Sequence, residues 1–144
     1  MHIHSLTRLQ DESKKEILKL GRVISREIKQ VINKIEINSE IQSISMIGYS
    51  MGGLVFRAAL PFLEEFKDYF NGFMTIATPH LGYMNTVSNI LTAGMWVVGK
   101  FTSNNSVNEI NLGDKTKISE GTIHRLSKQA GLEWFKTGKL IAIF

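Results

Sequence analysis

The run from Ile41 to Leu54, IQSISMIGYSMGGL, constrains this chain more than any other stretch. A β-type apolar run (Ile44, Met46, Ile47) leads into Gly48-Tyr49-Ser50-Met51-Gly52, and a helical run (Leu54, Val55, Ala58, Ala59, Leu60) follows. This is the GxSxG pattern of a nucleophile elbow, in which a strained strand-to-helix turn pushes a serine hydroxyl out of a sheet. Glycine is expected at Gly48 and Gly52 because a Cβ two positions either side of the serine would collide with neighbouring backbone. With glycine and serine each near ~7% of average composition, the bare pattern turns up by chance in about one chain of this length in twenty. The flanking strand and helix patterns are what separate it from a plain glycine-rich turn.

Composition closes off several alternatives. A chain of 144 residues holds one domain, and 43% hydrophobic with 21% charged residues is an ordinary globular balance. It has no cysteine, hence no disulfide framework and no thiolate metal site. That fits a reducing, cytoplasmic setting. The N-terminus has no apolar signal core. The apolar-leaning stretch from Val87 to Phe101 is interrupted by Asn89, Gly94, Gly99 and Lys100 and is shorter than the ~20 residues of a membrane span. A net charge of +4 spread along the chain reads as a solvated basic face, with peripheral contact to an anionic membrane as the lesser reading and no nucleic-acid signature.

Taken in order, residues from Ser13 to Ile35 place Ile17, Leu20, Ile24, Ile28, Val31 and Ile35 on one helical face, with Ser13 and Glu16 spaced as a capping box. After the elbow, a helix from Met51 to about Glu65 is expected to present Leu54, Val55, Ala58 and Phe62 to a sheet until Pro61 kinks or ends it. Phe73 to Ala77 is the next strand, stopped at Thr78-Pro79-His80-Leu81-Gly82. Strand, helix, strand implies a parallel crossover and an α/β layered fold. An irregular region from Tyr83 to Lys117 carries an apolar patch at Ile90 to Val98, including Met95 and Trp96, which reads as a pocket wall or as ordinary core. A helix from Ser119 to Gln129, stopped by Gly131, leads to a last strand from Lys139 to Phe144.

Serine becomes a nucleophile only when a base takes its proton and an acid orients that base. In the α/β-hydrolase order the acid and then the histidine follow the serine, and a backbone N–H of the next residue, here Met51, helps hold the oxyanion. His2 and His4 precede the first helix and read as disordered or solvated. His80 lines the strand end but precedes any plausible acid, so it is either a base or a residue fixing its loop. Asp114 followed by His124 meets the order, although His124 sits in a helical pattern away from a strand end. Asp68 reads as a solvated turn residue.

The segments ISMIGYSMGGLVFRAAL, FMTIATPHLGY and LSKQAGLEWFKTGKLIAIF, in this order and spacing, resemble a serine esterase family, a lipase-like branch of the α/β hydrolases. The resemblance runs from Asp11 to Phe144. It implies a partial α/β-hydrolase domain over residues 11–144, with parallel strands and helices on both faces. Ser50 is the implied nucleophile and Met51 the oxyanion donor, with Gly48 and Gly52 as elbow glycines and His80 at the pocket. An ester or lipid ester is the implied substrate, through an acyl-enzyme, with no metal or organic cofactor. It also implies a catalytic aspartate and histidine beyond Phe144, so that the chain by itself is expected to be weakly active or inactive. The rivals are a non-catalytic module of the same fold that binds a lipid or a protein, and an inactive gene fragment.

Overall fold

In the computed structural model, residues 1–6, 16–37, 40–82, 105–136 and 141–143 are described. Helix α1 spans Ile17–Glu36 and is followed by strand β1 (Ile44–Tyr49) and helix α2 (Met51–Ala59). Two 3-10 turns, Leu60–Phe62 and Glu64–Tyr69, lead to strand β2 (Phe70–Ile76). The later part holds helices α3 (Asn105–Ile110) and α4 (Thr122–Ser127), a 3-10 turn at Leu132–Trp134 and strand β3 (Ile141–Ile143). The three strands form one parallel sheet in the order β1-β2-β3. The α/β reading therefore holds.

Strand geometry decides what each residue faces, because successive side chains point to opposite sides. Met46 pairs in register with Phe73 and Gly48 with Thr75, and all four are buried beneath α2. Ile47 pairs with Met74 and Tyr49 with Ile76 on the other side, where Ile47 is 65% and Tyr49 72% exposed. Helices were expected on both faces; among the described residues they cover one.

Helix α1 buries Ile17, Leu20, Ile24, Ile28 and Ile32, while Val31 and Ile35 are only half-buried. Its buried stripe also takes in Gly21 and Ser25. A Cβ on Gly21 would lie 2.5 Å from Ala58, so α1 crosses α2 at a point where two backbones nearly touch. Helix α1 packs chiefly on α2, and α2 in turn lies on β1. The capping-box serine, Ser13, lies outside the described residues. The start of α1 is held from a distance instead: buried Glu109 accepts the Ile17 N–H at 2.6 Å and the Thr122 hydroxyl at 2.6 Å. One carboxylate thus joins three helices and satisfies one of the four orphan amides of α1. Burial pushes the Glu109 carboxyl above its ordinary range, and the hydrogen bonds from Thr122 and Ile17 pull it back.

Helix α2 ends where Pro61 was expected to end it, passing into a 3-10 turn with Pro61 in its first positions. Phe62 is not the sheet-facing residue its spacing suggested. The tighter turn swings it outward, 37% exposed, under the Arg22 guanidinium at 5.3 Å from its ring centroid. Beneath α2 the core is closed by an aromatic stack in which Phe135 lies 5.0 Å from Phe70 and 5.4 Å from Phe73. The apolar patch at Ile90 to Val98 lies outside the described residues. No described helix is long and apolar enough to cross a membrane.

Candidate active site

The bend between β1 and α2 is built from three crowded contacts. Ser50 has φ 50° and ψ −129°, a conformation that costs a non-glycine residue on the order of 1–3 kcal/mol. Its N–H extends the ladder by donating to the Ile76 carbonyl at 2.8 Å. Its carbonyl accepts from the Thr78 hydroxyl at 2.8 Å and from the Gly53 N–H at 3.3 Å. With the backbone held on both sides, the side chain is exposed, and its hydroxyl makes no hydrogen bond among the described residues. One rung along, Ala77 also has a positive φ, 51°, so two strained residues sit together at the C-terminal edge of the sheet.

The steric demand for glycine holds at Gly48, where a Cβ would lie 2.6 Å from the Gly53 Cα. It does not hold at Gly52, which faces open space among the described residues. The second crowded glycine is Gly53, whose Cβ would meet the Thr78 hydroxyl at 2.4 Å and the Thr75 methyl at 2.9 Å. The collision is with β2 and the loop after it, and this is why the spacing in the sequence pointed one residue too early. Met51 opens α2, so its N–H belongs to the first turn that has no intrahelical acceptor and lies at the positive end of the helix.

His80 is brought to this edge but not to the Ser50 hydroxyl. Arg57 Nη1 lies 3.2 Å from His80 Nδ1, and His80 Nε2 lies 2.9 Å from the Thr75 hydroxyl. A guanidinium can only donate, so Nδ1 is the acceptor and the proton sits on Nε2. Both ring nitrogens are thereby engaged, which leaves neither for the serine. Burial, and then the Arg57 charge, lower the His80 pKa and keep the ring neutral. Arg57, itself buried, donates through Nη2 to the Leu126 carbonyl at 2.8 Å.

The Asp114 and His124 pair is not assembled. The Asp114 carboxylate accepts the Thr122 N–H at 2.8 Å and so starts α4, while His124 stands two residues further on with its carbonyl bonded to the Ser127 hydroxyl. His4 is exposed, as its position suggested, and its Nε2 lies 3.3 Å from buried Glu27. Asp68 is exposed, in the 3-10 turn before β2. Among the described residues no cluster of three or more acidic or imidazole groups could hold a metal. Thr75, Thr78 and Arg57 were not singled out as site residues from the sequence; the only local signal was a lone arginine inside the apolar run GLVFRAAL.

No solved structure matches this chain. A family model does, over residues 1–140, and its description is "Putative serine esterase (DUF676)". That match takes in α1, the bend at Ser50, the Thr78 to Gly82 loop and everything up to the last strand. The chain belongs to this serine esterase family.

Proposed function

We propose that the chain acts as a serine hydrolase on carboxylic esters, including lipid esters, with Ser50 as the nucleophile. The observation that carries this reading is the exposed hydroxyl on a bend at φ 50°, strained and yet fastened through both its N–H and its carbonyl. Strain of this kind persists only where the surroundings over-determine it. Ser50 Oγ attacks the ester carbonyl carbon and its proton passes to a base; the C–O bond then breaks and the protonated alcohol leaves. Water resolves the acyl-enzyme by the same route in reverse. The Met51 N–H is assigned to the oxyanion, where removing a single such donor typically costs about 10²–10³ in rate. None of the described histidines is assigned as the base.

Intact mass spectrometry after incubation with p-nitrophenyl butyrate tests the assignment. One butyryl group should be gained by the wild-type chain and none by Ser50→Ala; a Ser50→Ala chain that still acylates would end it.

A second reading has its own support. Because the Ser50 hydroxyl meets no histidine among the described residues, a non-catalytic module that kept the elbow and binds a lipid or a protein fits the same geometry. Well-folded protein that never acylates, yet floats with lipid vesicles, would favour it.

A further inference from the structure

We propose that Arg57 and His80 are positioning residues that set the bend carrying Ser50, by holding the Thr78 hydroxyl on the Ser50 carbonyl. The proposal deepens the reading of Ser50 as the reactive group and rests on it for any effect on reactivity.

The connection is continuous. From Leu126, the Arg57 guanidinium is fixed through Nη2, and its Nη1 then dictates the His80 tautomer. The His80 ring spans from Arg57 on α2 to Thr75 on β2, and its backbone N–H donates to the Thr78 carbonyl at 2.9 Å. Thr78 cannot shift without moving His80. The Thr78 hydroxyl, 4% exposed, ends the chain of contacts on the Ser50 carbonyl at 2.8 Å. Strained Ala77 lies between the two anchored points, Thr75 and Thr78, so the loop is kept in its conformation from both ends. Among the described residues, Arg57 is the charged group that faces His80; β2 presents the neutral Thr75 hydroxyl, and α4 presents the Leu126 carbonyl through Arg57.

Protonation of His80 would place an N–H where Arg57 needs an acceptor, and two positive charges side by side. The bond opens, and the Thr78 clamp loosens with it. Glutamine separates this from a mere packing role. Its carbonyl oxygen can accept from Arg57 and its amide can donate to Thr75, yet it does not titrate.

Amide hydrogen exchange of the full chain, followed by NMR at about pH 7.5 and about pH 5 and corrected for intrinsic rates, tests the proposal. In wild type, protection at the Ser50 and Gly53 amides should fall at the lower pH relative to Ile28 in α1. In His80→Ala it should be about tenfold lower at both pH values, the loss expected for one buried hydrogen bond. His80→Gln should keep the protection and lose its pH dependence. Unchanged protection in His80→Ala, or a pH response that survives in His80→Gln, would overturn the proposal. If His80→Ala does not fold, the His80→Gln comparison still decides. Fluorophosphonate labelling run alongside keeps the two readings apart: a wild-type chain that never labels at Ser50 ends the hydrolase assignment, while the exchange result stands by itself.

Discussion

The two faces of one sheet behave as if they belonged to different proteins. On the covered face, Met46, Phe73 and Thr75 are buried beneath α2. On the other, Ile47 and Tyr49 stand largely in solvent although their neighbours along the strand are packed. The difference locates the source of order at the bend between β1 and α2. Among the described residues, every contact that fixes Ser50, from Gly48 against Gly53 to Thr78 on the carbonyl, is made on the covered side or at the edge of the sheet. Among the described residues, helices cover one face of the sheet that presents the serine.

Substitutions can set the two faces against each other, and the largest effect should come from the covered one. Phe73→Ala removes a ring packed against Phe56 and Phe135 and should cost about 3–5 kcal/mol in urea unfolding. Its counterpart on the open face, Ile47→Ala, should stay within about 0.5 kcal/mol. Comparable losses at the two positions would mean that the open face is covered in solution.

Next in size is a contrast between adjacent glycines. Gly53→Ala forces a methyl into Thr78 and should destabilise by about 1–3 kcal/mol. Gly52→Ala meets nothing nearby and, by helix propensity, should be neutral or gain up to about 1 kcal/mol in the same assay. Equal effects would remove the case for Gly53 as the packed residue of the pair.

The smallest effects are slopes of melting temperature against pH, and half-buried His80 and buried Glu109 give opposite signs. His80 is held neutral, so its contribution is complete above its ordinary value of 6.5 and is lost as pH falls through its lowered folded value. Glu109 is raised, so its contribution is complete below its ordinary 4.5 and is lost as pH rises through its folded value. His80→Gln should flatten the first slope and Glu109→Gln the second.

What the sequence disclosed and what it concealed follow one physical division. The bend at Ser50 was legible because its demand is local: a serine turning from strand to helix, with Gly48 required by contacts four and five residues along the same chain. The crowding of Gly53 comes from Thr75 and Thr78, more than twenty residues away, and no spacing within the motif encodes it. Helix α1 was legible from its period. Its buried face was less so, because the close crossing of Gly21 on Ala58 rolls the stripe toward Ile32. Charged residues misled in the same way. Asp114 and His124 have the order of an acid and a base, yet Asp114 is taken up by the start of α4. Arg57, which the sequence reading passed over, joins α2, His80 and α4. Phe62 looked like core until the 3-10 turn at Pro61 carried it outward.

If the Ser50 hydroxyl, held clear of the sheet, is the reactive group of this chain, a fluorophosphonate probe should find it, and peptide mapping after labelling shows where the probe went. A single modified peptide is expected, the one containing Gly48-Tyr49-Ser50-Met51-Gly52, with no modification of the Ser50→Ala variant. Modification at any other residue that persists in Ser50→Ala, or an unmodified Ser50 in folded protein, would contradict that assignment.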